Sequence, residues 1–164
     1  MSILVFGSIN MDLVTRTPRL PAAGETLIGH TFFTAPGGKG ANQAVACARL
    51  GAPTDMVGRI GDDVFAESLR TSLQTYGVDT RFVTVAPGPS GLAAIAVSDA
   101  AENTIIVIAG ANNHVGEADI ARMTPALAQA RVLLLQLEVP LAAVVAAAAP
   151  PPPPRGPGVV GPAP

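Results

Sequence analysis

Apolar and polar residues along the chain fall into segments whose spacing predicts an alternation of strands and helices. Ser2 to Ser8 is a nearly unbroken apolar run closed by a glycine, the pattern of a strand buried on both faces. Val132 to Leu137 repeats that pattern, and Thr54 to Ile60 predicts a further strand. Between them, Val45 to Leu50 holds good helix formers and stops at Gly51, and Phe65, Leu69, Leu73 and Tyr76 recur at helical spacing before Gly77. Residues 116–130 predict one or two short helices, and Pro140 opens an alanine-rich helix over 141–149. Shorter runs rich in Thr, Ile, Leu and Phe, Leu13 to Thr17 and Thr26 to Thr34, are separated by Pro18, Pro21 and Gly24, and predict the strands of a hairpin or flap. Arg81 to Val85 predicts a short strand before the turn Pro87-Gly88-Pro89. Gly91 to Val97 and Asn103 to Ile108 predict a second hairpin about the polar turn Ser98 to Glu102.

Composition narrows the class. The 164 residues suffice for one ordinary domain or about half of a larger α/β enzyme. Net charge is −2 without a basic run, so neither nucleic acid nor an anionic membrane is expected as a partner. Charged residues are only 13% and mean hydropathy is +0.43, which raises the question of a membrane span. The one long apolar stretch, Val132 to Ala149, is interrupted by Gln136, Glu138 and Pro140 and does not qualify. No basic segment precedes Ile3, so no signal peptide is expected, and a single cysteine fits a reducing cytoplasm. Cys47 reads as a packed thiol. His30 and His114 have no partner at metal-ligand spacing, so no metal site is expected.

The candidate chemistry centres on Pro36-Gly37-Gly38-Lys39-Gly40-Ala41-Asn42-Gln43-Ala44, a glycine loop running straight into a helix. Backbone N–H groups at a helix start lack intrahelical partners, so these donors, with Lys39 and Asn42, suit a ligand rich in oxygen. The Walker phosphate loop needs glycine where Phe33 stands and Ser or Thr where Gly40 stands. The dinucleotide fingerprint fails at Gln43. The loop is therefore expected to hold hydroxyls. Asn10 and Asp12 follow the first strand, either as ligand contacts at a strand's carboxyl end or as an Asx turn. Glu138, at the end of the last strand, is either a ligand contact or a surface residue. Phe32 and Phe33 are either lid contacts or core, and Asp62 and Asp63 are expected to cap the following helix. No role is assigned to Asn112.

The run Gly-Gly-Lys-Gly-Ala-Asn-Gln-Ala, followed by Gly51 and by Gly61 in Val57-Gly58-Arg59-Ile60-Gly61-Asp62-Asp63, resembles the first signature of the ribokinase-like (PfkB) sugar kinases, and its lysine and Gly-Ala-Asn resemble the ribokinase branch. Leu-Gln-Leu-Glu-x-Pro at 135–140 resembles that branch's later glutamate segment. The resemblance spans about Ile3 to Ala149. It implies an α/β, Rossmann-like parallel sheet with a small β-lid (about 12–35 and 90–108), truncated after the N-terminal half of the fold. It implies ribose or a related pentose as substrate, held by Asn10, Asp12, Gly38, Lys39, Gly40, Asn42 and Glu138, and homodimerisation through the lid. It implies ATP and Mg2+, with a possible monovalent cation, whose binding residues are expected in a C-terminal half. That half carries an Asp-Thr-x-Gly-Ala-Gly-Asp-type motif with the catalytic base, and the motif does not occur here. From Pro150 the pattern gives way to five prolines and a Pro/Gly-rich segment, 150–164, expected to be an extended, disordered tail. The chain is thus expected to bind without turning over, and to leave an apolar sheet edge prone to aggregation. The rival reading is a non-catalytic sugar-binding or dimerising module with a Pro-rich interaction tail.

Overall fold

A computed structural model describes residues 2–149; the tail expectation for 150–164 lies outside the described residues. In chain order the elements are β1 (Ser2–Phe6), β2 (Asn10–Thr17), β3 (Thr31–Gly37), α1 (Lys39–Arg49), β4 (Thr54–Ile60), α2 (Ala66–Thr75), β5 (Val78–Val85), β6 (Gly91–Ser98), β7 (Asn103–Ile108), a 3-10 turn (Gly110–His114), α3 (Glu117–Leu127), β8 (Ala130–Leu135) and α4 (Leu141–Ala148). Two sheets result. One is wholly parallel with order β5-β4-β1-β8, and the other is a mixed lid sheet of order β3-β2-β6-β7.

The parallel sheet is covered on both faces, as its unbroken apolar strands require. Along β1 the side chains alternate: Val5 packs with Ala41 and Ala44 of α1 and Leu69 and Leu73 of α2. Leu4 and Phe6 pack on the opposite side with Met123 of α3 and Ala143 and Val144 of α4. Asp119 of α3 fastens the second layer. It is buried, accepts from Arg59 Nε (2.9 Å), Arg122 Nη1 (3.0 Å) and the Gly116 N–H (2.9 Å), and so has its charge compensated.

In the lid, β2 pairs parallel with β6 and antiparallel with β3, and β6 pairs antiparallel with β7. Expected boundaries shift in both sheets. β5 starts at Val78, not Arg81. β8 occupies Ala130–Leu135 instead of Val132 to Leu137 and is half-exposed rather than buried, because it lies at the sheet edge. β2 starts at Asn10, not Leu13, and β3 occupies Thr31–Gly37 instead of Thr26 to Thr34. Asp62 and Asp63 do not chiefly cap α2. Asp62 accepts from the Gly88 N–H (2.8 Å). Asp63 accepts from the Ser90 N–H and hydroxyl (both 2.8 Å) as well as from the Phe65 N–H (3.1 Å). Together they tie the end of β4 to the loop before β6, because that loop's donors lie closer than the helix start. Phe32 and Phe33 are largely exposed on β3, so the core reading does not hold. No described helix is long and apolar enough to cross a membrane.

Candidate functional site: a cleft between the two sheets

The parallel sheet and the lid meet at the carboxyl end of β1, where residues 7–9 pass from one sheet to the other. An open cleft of about 470 Å³ lies there, lined by Asn10, Asp12, Gly38, Lys39, Asn42 and Glu138, with Ala93, Ile95, Ile105 and Val107 of the lid. Period-2 geometry explains the first pair. Asn10 and Asp12 sit two residues apart in β2 and share the cleft face, while Met11 turns into the core. They are strand residues and not an Asx turn. Gly40 lies behind the cleft, not on its wall. A Cβ there would come within 2.6 Å of the Gly7 and Ser8 backbone, so the bare backbone lets α1 seat against the end of β1.

The N-terminus of α1 differs from expectation. The Lys39 N–H is 3.5 Å from Glu138 Oε2, the Gly40 N–H is 3.4 Å from Ser8 Oγ, the Ala41 N–H donates to the Ser8 carbonyl (2.9 Å), and the Asn42 N–H donates to the Gly38 carbonyl (2.8 Å). Donors expected to await a ligand thus already face protein oxygens. The groups lining the cleft are therefore the side chains of Asn10, Asp12, Lys39, Asn42 and Glu138, with Gly38 beside them.

Its two carboxylates differ in kind. Glu138 takes Lys39 Nζ on Oε1 (2.5 Å) and the Ser8 hydroxyl on Oε2 (2.9 Å). Burial works to raise its pKa, but the bonds from Lys39 and Ser8 outweigh it and hold Glu138 below the usual glutamate range. Asp12 accepts from no donor among the described residues; burial, and then the negative charge of Glu138, push its pKa up. Asp12 is therefore the acceptor with unused capacity, and Glu138 holds Lys39 against the floor of the cleft. Ser8 has one proton and lies 3.1 Å from Gln136 Oε1 as well as 2.9 Å from Glu138; the charged acceptor is the stronger partner.

Ser8 and Asn112 escaped the sequence reading. Asn112 is buried, and its Oδ1 accepts the Ile9 N–H (2.9 Å) while its Nδ2 donates to Asn10 Oδ1 (2.7 Å). Ser8 stands in no motif, and Asn112 ends the run Ala109-Gly110-Ala111-Asn112 without a spacing that assigns it a role; only the folding of the 3-10 turn onto residue 9 brings it into place. Among the described residues no three His, Cys, Asp or Glu side chains group to hold a metal ion.

A parallel sheet between helix layers, with a lid sheet enclosing amides and carboxylates, makes this an α/β ribokinase-like fold. Residues 1–149 match the pfkB family carbohydrate kinases, and the chain belongs to that family. It is 41% identical over 144 residues to ribokinase of Haemophilus influenzae, covering 87% of this chain and 47% of that one. It is equally 41% identical over 145 residues to deoxyribokinase of Salmonella typhi, covering 88% and 47%. Among solved structures, Arabidopsis thaliana ribokinase complexed with ribose and ATP superposes with a TM-score of 0.76 at 34% identity, covering 89% of this chain and 49% of that one. Cryptococcus neoformans ribokinase in complex with ADP superposes with a TM-score of 0.77 at 36% identity, covering 88% and 45%. The chain spans about half the length of the curated relatives it matches.

Proposed function

We propose that residues 1–149 form the sugar-holding half of an ATP-dependent carbohydrate kinase that phosphorylates ribose, or a related pentose, at its 5-hydroxyl. One observation carries this reading: five polar side chains, Asn10, Asp12, Lys39, Asn42 and Glu138, with the Gly38 backbone, converge from three separate parts of the chain on one open cleft. The set contains acceptors (Asp12, Glu138), donors (Lys39) and amides that do either, which matches a polyol whose every hydroxyl both gives and takes a hydrogen bond. Apolar Ile95, Ile105 and Val107 supply the face that covers the carbon side of a sugar ring. The ribose named in the Arabidopsis complex is of this chemical class.

In this reading Asp12 and Asn10 orient the sugar, Lys39 and Glu138 close one end of the cleft, and the lid keeps water from the transferring group. ATP and Mg2+ supply the phosphoryl group and its charge neutralisation when bound, through residues outside those described. A second copy covers the outer lid face, where Phe32 and Ile106 stand exposed. The rival, a non-catalytic sugar-binding or dimerising module, shares the cleft and differs in needing no nucleotide-binding half to complete it.

The test is calorimetric titration of the 164-residue chain with D-ribose, beside an assay for ATP-dependent phosphorylation. Saturable ribose binding, weakened at least tenfold by Asp12→Ala, is expected, with no phosphorylation by this chain alone. Absence of binding would overturn the sugar reading, and turnover would overturn the division of labour.

A further inference from the structure

An orphan-free chain of hydrogen bonds fixes which end of the Asn10 amide faces the cleft. The Ile9 N–H can only donate, and the Asn112 side-chain atom 2.9 Å from it must therefore be the oxygen. The other limb of the Asn112 amide is then NH2. Its two protons go to two acceptors, the Ile9 carbonyl at 3.2 Å and Asn10 at 2.7 Å. The Asn10 atom receiving that bond must be Oδ1, which leaves Nδ2 as the limb free to serve the cleft that Asn10 lines. The arrangement sits over a glycine for a visible reason: a Cβ on Gly91 would stand 2.2 Å from both Asn10 Oδ1 and Asn112 Nδ2.

We propose that Asn112, which touches no ligand itself, is a positioning residue that sets the polarity of Asn10, so that the cleft presents a donor at Asn10 beside the acceptor at Asp12. This deepens the sugar-site reading and rests on it. A donor and an acceptor on one strand face, two residues apart, select a ligand with one oxygen placed to accept and a neighbouring hydroxyl placed to donate, as in a vicinal diol. With the Asn10 amide turned over, two acceptors would stand side by side, and a diol could satisfy both only by giving up its own internal hydrogen-bond order.

The variant Asn112→Asp is isosteric and still accepts the Ile9 N–H, but it replaces the donating NH2 by a second acceptor. The Asn10 amide then turns to donate to that carboxylate and shows Oδ1 to the cleft. Side-chain amide NMR of the 164-residue chain, with thermal melts to confirm folding, reads this directly. In the unsubstituted chain the Asn112 NH2 protons should exchange slowly and those of Asn10 fast, slowing and shifting when D-ribose is added. In Asn112→Asp the Asn10 protons should already be slow without ribose, and ribose affinity should fall at least tenfold. Fast Asn112 protons, or slow Asn10 protons in the ligand-free unsubstituted chain, would overturn the proposal even if the variant fails to fold. An affinity within twofold in a folded Asn112→Asp would also overturn it while leaving the sugar site standing. If ribose does not bind at all, the sugar reading fails, and the exchange pattern of the free chain still decides the amide's polarity.

Discussion

Asp12 and Glu138 share a cleft, yet acidification should reach them in opposite order. Asp12 has a folded-state pKa raised by burial and by Glu138, so it takes up a proton above the ordinary aspartate range. The folded pKa of Glu138 is depressed, so its bonds to Lys39 and Ser8 contribute stability that is complete above the unfolded value and lost only as pH falls through the lower folded one. Ribose affinity measured from neutral to acid pH should therefore fall first, with the melting temperature holding until lower pH. Coincident loss of both would show that Asp12 is not the controlling acceptor. Asp12→Asn should keep or raise the melting temperature, since it removes a half-buried charge repelled by Glu138, while weakening ribose at least tenfold.

At the level of elements, the junction between β3 and α1 is the least forgiving. Gly38 has φ +94°, and a Cβ there would lie 2.8 Å from the Asn10 nitrogen and 2.9 Å from the Ser8 carbonyl. Gly51 has a similar φ, +86°, with nothing within 4 Å of its would-be Cβ. Alanine at both positions pays the left-handed strain, about 1 kcal/mol, but only Gly38→Ala adds a backbone collision. Urea unfolding should show about 1 kcal/mol lost in Gly51→Ala and about 3 kcal/mol or more in Gly38→Ala, with ribose binding lost only in the latter. Equal losses would mean that the strand–helix junction tolerates displacement. This junction was legible in the sequence as a glycine loop opening a helix, and so were the buried strands β1 and β4, because apolar runs bounded by glycine leave few alternatives. β8 was legible as a strand, but its apolar run reads as buried whereas it stands half-exposed at the sheet edge. The start of β2 was not, because Asn10 and Asp12 read equally as turn residues until Met11 is seen to be buried between them. Nor was the saturation of the α1 N-terminus. Its partners, Ser8 and Glu138, lie 32 and 99 or more residues away from the amides they serve, and local patterning carries no information on such pairings.

For the whole molecule, burial is uneven. The parallel sheet has a packed layer on each face, but β8 has no strand neighbour on its outer edge among the described residues, and Val132, Leu137, Leu141 and Val145 stand exposed nearby. The lid adds Phe32, Ile105, Ile106 and Val107. Exposed apolar surface of this extent beside an unpaired edge favours association. Light scattering on the purified chain should find concentration-dependent dimers or larger species, and Phe32→Ser with Ile106→Ser should reduce them. A monodisperse, cooperatively melting monomer would contradict this.

The division of the cleft between two sheets has a mechanical consequence. Asn10 and Asp12 belong to the lid strand β2, whereas Lys39 opens α1 and Glu138 follows β8, both on the parallel-sheet side. A bound polyol would act as a rivet across that seam, adding a tie between two plates that the chain itself crosses at residues 7–9, at Gly38 and at 86–90.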